Sequence, residues 1–151
     1  MTNENVKSKK ALAITVETVI KADAEKVWEL WTKPGHIKNW CNASDDWHVP
    51  AAENDVRTGG RFKTTMAAKD GSFSFDFEGT YSVVKHAEAL EYTMADGREV
   101  SIQFIKQKDG TKVIETFDPE TINPLNVQKG GWQAILDNFK KYTESKSNIK
   151  Q

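Results

Sequence analysis

With 151 residues, 21 basic and 22 acidic side chains and a net charge of −1, the chain is sized for one domain that buries roughly 70% of its unfolded surface. Its evenly spread charges argue against nucleic-acid binding through phosphate neutralisation. A single cysteine, Cys41, excludes an intramolecular disulfide, no run approaches the ~20 apolar residues of a membrane span, and the N-terminus has no apolar signal stretch, so a cytoplasmic protein, monomeric or dimeric, is expected.

Residues 1–10, with Lys7, Lys9 and Lys10, read as a disordered polar tail, and residues 11–144 as the domain. Leu12, Ile14, Val16, Thr18 and Ile20 alternate with Ala13, Thr15, Glu17 and Val19, the period of a strand. Asp23 then offers an N-cap to a helix whose apolar face is Ala24, Val27, Trp28 and Trp31. Pro34-Gly35 stops it, and His36 to Trp40 form a short second helix. A strand is expected around Trp47 to Ala52, with turns at Asn54-Asp55 and Gly59-Gly60.

Five further strands follow. Arg61 to Ala68 puts Phe62, Thr64 and Met66 on one side; Ser72 to Val84 puts Phe73, Phe75, Phe77 and Tyr81 on one side and Asp76 and Glu78 on the other, a solvated convex face. Leu90, Tyr92 and Met94 alternate, as do Val100, Ile102 and Phe104. Asp70-Gly71, Asp96-Gly97 and Asp109-Gly110 separate these runs and predict two-residue type I′ hairpins with φ > 0 at both positions. In the last strand, Thr111 to Phe117, either Val113, Glu115 and Phe117 or Lys112, Ile114 and Thr116 face the core. After Asn123-Pro124, a helix start signal, Trp132, Ile135, Leu136, Phe139 and Tyr142 mark one stripe of a helix reaching about Glu144, with Gln133, Asp137, Lys140 and Lys141 opposite. Gly130-Gly131 predicts a bend or a close approach of helix to sheet, and residues 145–151 a frayed tail.

These elements sum to an α+β domain, a curved antiparallel sheet gripping the last helix. Curvature decides whether the grip is a dry core or a cavity. The cavity would be lined by Phe62, Met66, Phe73, Phe75, Phe77, Tyr81, Tyr92, Phe104, Glu115, Trp132, Ile135 and Phe139.

Four motifs carry a resemblance: Val27-Trp28-x-x-Trp31-Thr32-x-Pro34 followed by Trp40, Gly59-Gly60-Arg61-Phe62, Phe77-Glu78-Gly79-x-Tyr81, and Gly131-Trp132-x-x-Ile135-Leu136-x-x-Phe139. In this order the chain resembles the START-like, Bet v 1-like (SRPBCC) superfamily, and within it the bacterial group named after activators of the heat-shock-protein-90 ATPase. The resemblance implies a helix-grip fold, with a seven-stranded antiparallel sheet around the C-terminal helix and two short helices between the first and second strands. It implies a scaffold shared by lipid and hormone carriers, cyclases and co-chaperone domains rather than one reaction. The chain departs from the eukaryotic co-chaperones in lacking their additional N-terminal domain, which argues against an ATPase-activating role.

The leading functional expectation is binding of a small apolar or amphipathic molecule without metal, cofactor or prosthetic group. His36, His48 and His86 lie in different elements, without the spacing of a metal site. The alternatives are an enzyme of cyclase, lyase or hydrolase type on the same fold and a co-chaperone-like module that binds a protein partner. Glu115 would serve the enzyme as acid or base, with His48 or Tyr92 as helper. A Glu115 facing an apolar cavity would have a raised pKa; one facing water would not. Cys41 would be a nucleophile only with a base such as His48 in reach, and is otherwise an inert, partly buried thiol.

Overall fold

The computed structural model describes residues 13–148; the expected N-terminal tail, with Leu12, lies outside them. Seven strands, β1 (Ile14–Ile20), β2 (Trp47–Asn54), β3 (Arg61–Ala68), β4 (Ser74–Lys85), β5 (Ala89–Met94), β6 (Glu99–Gln107) and β7 (Gly110–Phe117), form one antiparallel sheet in the order β1-β7-β6-β5-β4-β3-β2. β2 to β7 are a meander, and β1 joins its far end beside β7. Two short helices, α1 (Ala24–Thr32) and α2 (Pro34–Trp40), connect β1 to β2, and the long helix α3 (Leu125–Asn148) follows the sheet. The α+β helix-grip architecture is therefore present, with the sheet curled around α3.

Local chemistry accounts for the helix ends. Asp23 caps α1, its carboxylate accepting from the Lys26 amide at 2.8 Å, and Pro34 is the first residue of α2 rather than only the terminator of α1. α3 continues to Asn148, one turn beyond the expected Glu144. Gly130 and Gly131 neither break it nor touch the sheet: a Cβ at either would meet no neighbour. The polar side of α3, opposite the apolar stripe, stitches the helix to the edge of β1. Gln133 donates to the Glu17 carbonyl at 3.2 Å, Lys140 donates to the Val19 carbonyl at 2.6 Å, and the Lys21 amide donates to Glu144 at 2.9 Å. These bonds use edge carbonyls that would otherwise invite another strand.

The Asp-Gly turns differ from expectation. Gly71 and Gly97 are left-handed, at φ 80° and 92°, but the Asp before each is not. At the second turn the Gly97 amide donates to the Met94 carbonyl at 2.9 Å and the Met94 amide donates to the Arg98 carbonyl at 2.7 Å. This is a three-residue loop, a type I turn closed by a left-handed glycine. Gly110 opens β7 without positive φ, and a Cβ there would collide with the Ile20 carbonyl oxygen. Its glycine serves the close approach of β7 to the end of β1.

β7 settles the one ambiguous face. Thr111, Val113, Glu115 and Phe117 are buried, and the alternate residues are only half-buried. Glu115 therefore points inward with its apolar neighbours.

Candidate functional site

The concave face of the sheet is divided into a filled end and a hollow end. At the filled end α1 and α2 supply the covering layer. Trp28 and Trp31 meet Phe104 edge-on at centroid distances of 5.5 and 5.8 Å, and Phe139 of α3 meets Trp31 and Trp40 at 4.8 Å each. The Trp40 indole donates to the Leu30 carbonyl at 2.9 Å, and Asn138 of α3 donates to the carbonyls of Trp40 and Asn42. These bonds hold the layer in place.

Beyond it lies a cavity of about 600 Å³ between β3–β7 and the first half of α3, within the size range of small-molecule sites. Its aromatic wall centres on Phe62, whose ring lies 4.7 Å from Tyr92, 5.3 Å from Tyr81 and 5.6 Å from Phe77. Gly79 makes room for that ring: a Cβ there would fall 2.9 Å from Phe62 Cε2 and 2.7 Å from the Thr93 carbonyl oxygen. Trp132 covers the opposite side, stacked on Phe117 at 3.8 Å with an 11° tilt and reaching Phe77 at 6.0 Å. The Tyr81 hydroxyl donates to Asn54, whose amide donates to the Thr32 carbonyl, both at 2.7 Å. This chain ties the cavity wall to the end of α1.

Glu115 borders the cavity, 6% exposed, with no hydrogen bond or ion pair among the described residues. Burial raises its pKa to about 8, so near neutrality the side chain is mostly the uncharged acid, able to donate and to accept. Burial, with the Glu115 charge adding to it, pushes the Cys41 thiol up to about 12 and holds the Tyr92 hydroxyl well above its ordinary range. Both are therefore protonated, and Cys41 is no nucleophile at neutral pH.

Of the residues expected to line a cavity, Phe62, Met66, Phe75, Phe77, Tyr81, Tyr92, Glu115, Trp132 and Ile135 border this one. Three do not. Phe104 and Phe139 belong to the filled end, sealed under α1 and α2. Phe73 precedes β4 and is 59% exposed, packing with Phe75 against Trp47 of β2. Trp132 reaches only as far along the row as Phe77, which leaves the hairpin end uncovered. His48 is exposed on β2 and does not border the cavity, so it can assist neither Glu115 nor Cys41. Asp76 bonds Thr65 at 2.8 Å and pairs with Lys63 at 3.8 Å across the outer ladder, and Glu78 stands opposite Lys63 on the same convex face, away from the Phe75 and Phe77 row.

Several cavity residues carry no signal in the sequence. Asn54 looks like a turn residue, and Gln128 looks like the exposed first turn of a helix. The Gln128 side chain is instead buried against the cavity, donating to the Asn123 and Glu120 carbonyls at 2.8 and 3.1 Å and accepting from the Glu120 amide at 2.9 Å. Trp31 and Trp40 show apolar character, but only the fold reveals that they form the wall between the two ends. Among the described residues no cluster of His, Cys, Asp or Glu could hold a metal ion, and no helix is long and apolar enough to cross a membrane.

The family model for Activator of Hsp90 ATPase homolog 1-like proteins matches residues 21–144. The chain belongs to this family. Its similar solved structures include the AHSA1-like protein from Aeromonas hydrophila, 47% identical over 89% of this chain and 94% of that one, with a TM-score of 0.84. A Cytophaga hutchinsonii protein is 55% identical over 91% of this chain and 95% of that one, with a TM-score of 0.78. A Chromobacterium violaceum protein shares the fold at 21% identity, over 87% and 97% of the two chains, with a TM-score of 0.79. None of the curated proteins matches the chain. The family identifies the scaffold, and the chemistry has to be argued from the cavity.

Proposed function

We propose that this family member binds a small amphipathic molecule in the hollow end of the grip, its apolar body against Phe62, Phe77 and Trp132 and its polar group on Glu115. The observation that carries this reading is the buried Glu115 carboxyl facing a cavity of about 600 Å³ without a protein partner. A polar group taken from water without compensation is costly, and a ligand hydroxyl or amine would compensate it.

Native mass spectrometry of freshly purified protein tests the reading, with Gly131→Leu as the blocked control, because a side chain at Gly131 would enter open space beside the cavity. The expected result is an adduct on the natural sequence that is lost in Gly131→Leu. Absence of any adduct, together with no thermal shift from a library of alkyl and aryl alcohols, amines and acids, would overturn it. Acid–base chemistry on the bound molecule is the second reading. It is favoured by Glu115 titrating near neutrality beside the Tyr92 hydroxyl, and it predicts a product mass different from that of the ligand supplied.

A further inference from the structure

We infer that the molecule held in this cavity is a lipophilic amine, its ammonium paired with Glu115 and its hydrocarbon body packed on the aromatic walls. The inference rests on the binding reading above and narrows it by charge. Asp96, Glu115 and Glu120 border the cavity against a single basic residue, Arg98, while Asp76 and Glu78 lie opposite Thr65 and Lys63 on the outer face of the sheet. Arg98 is already committed, its Nε 2.8 Å from Asp96 Oδ2. A fatty acid or phosphate ester entering here would find no free cation for its head group, and its charge would face the carboxylate of Glu120 at the border. An ammonium meets the opposite field on the way in.

Inside, the surroundings of Glu115 add no competing charge. Ile102 of β6 and Val16 of β1 pair with it across the sheet. The titratable groups nearest the cavity interior are Cys41 after α2, Tyr81 of β4 and Tyr92 of β5, all uncharged near neutrality, while α3 presents only neutral residues, Gln128, Trp132 and Ile135 among them. The aromatic faces of Phe62, Phe77, Tyr92 and Trp132 supply the π-surface that favours an organic cation over an anion. Entry of the ammonium restores the carboxylate: the Glu115 proton leaves to solvent as the ion pair forms, so one proton is released for each ammonium bound by the protonated site.

A matched series of decylamine, decanol and decanoate tests this, read by quenching of tryptophan fluorescence and by calorimetry in two buffers of different ionisation enthalpy. The expected order is decylamine at least ~10-fold tighter than decanol, with decanoate not measurably bound. Decylamine binding should release close to one proton at pH 6.5 and strengthen by up to ~10-fold per pH unit until about pH 8, levelling off above it as Glu115 becomes mostly ionised in the free protein. Glu115→Gln should lose the proton release and the preference for the amine while still binding decanol, which also shows that the variant is folded. Decanol or decanoate binding as tightly as the amine, or amine binding without proton release, would overturn the inference and leave the broader reading standing. Failure of all three probes to bind would overturn both.

Discussion

Phe104, with Phe139 of α3 against its neighbours, is sealed beneath α1 and α2, whereas Phe62, Phe77 and Tyr92, aromatic and on the same concave face as Phe104, look into a cavity of about 600 Å³. The side chains of the two ends are alike in kind. What differs is the covering layer: the segment between β1 and β2 folds over one half of the groove and only borders the other, which α3 roofs with Trp132. An apolar residue on an inward parity is thus a statement about which face it occupies, and the presence or absence of a third layer decides whether it is core or cavity wall.

The contrast can be broken by truncating one ring at each end. Phe139→Ala removes a fully buried ring contacting Trp31 and Trp40 and should cost ~3–5 kcal/mol in urea denaturation. Phe77→Ala removes a half-buried ring beside existing empty space and should cost under about 2 kcal/mol. Equal costs would mean that the two ends are packed alike.

Acidity sharpens the same comparison, because the filled end has no counterpart of Glu115. Its pKa is raised from 4.5 to about 8 on folding, so between those values the folded chain holds a proton that the unfolded chain has lost. Stability contributed by this group is fullest below pH 4.5, falls as pH rises through the window, and levels off above about 8. A loss of the order of 2–4 kcal/mol across the window is expected once water entering the cavity is allowed for. Glu115→Gln should flatten this component of the pH profile; a variant with an unchanged slope would place the titration elsewhere.

Smaller effects probe the boundary and the roof. Tyr81→Phe breaks the Tyr81–Asn54–Thr32 chain that joins the cavity wall to α1 and should cost about 1–2 kcal/mol by thermal denaturation. Gly130→Ala, in the helical roof with open space around the new methyl, should stabilise by roughly 0.5–1 kcal/mol. A loss there would mean that α3 is not continuous over the hollow end.

Much of the fold was readable because the signals were local. The alternation through Phe62, Thr64 and Met66, the Asp23 cap and the Trp132 to Phe139 stripe each report their own element. The type of turn was less readable, since Asp-Gly fits both a type I′ turn and a left-handed glycine after a type I turn, and Gly110 answers to a contact with distant Ile20. The β4–β5 turn was invisible: Ala87 takes φ 58° there without a glycine to mark it. Half of the site was readable for the same reason. Parity could bring Glu115 inward with Phe117, but no local pattern says that α1 covers Phe104, that Trp132 stops at Phe77, or that Asn54 and Gln128 turn from loop and helix start toward the cavity. Those facts depend on the curl of the sheet, which is set by all seven strands together.

The most direct test is a carbon-detected NMR titration of the Glu115 carboxyl in the ligand-free protein. A midpoint near 8 is the result predicted for an unpartnered acid facing an apolar cavity. A midpoint near the ordinary value of about 4.5 would show a solvated or paired carboxylate and contradict the account of the hollow end.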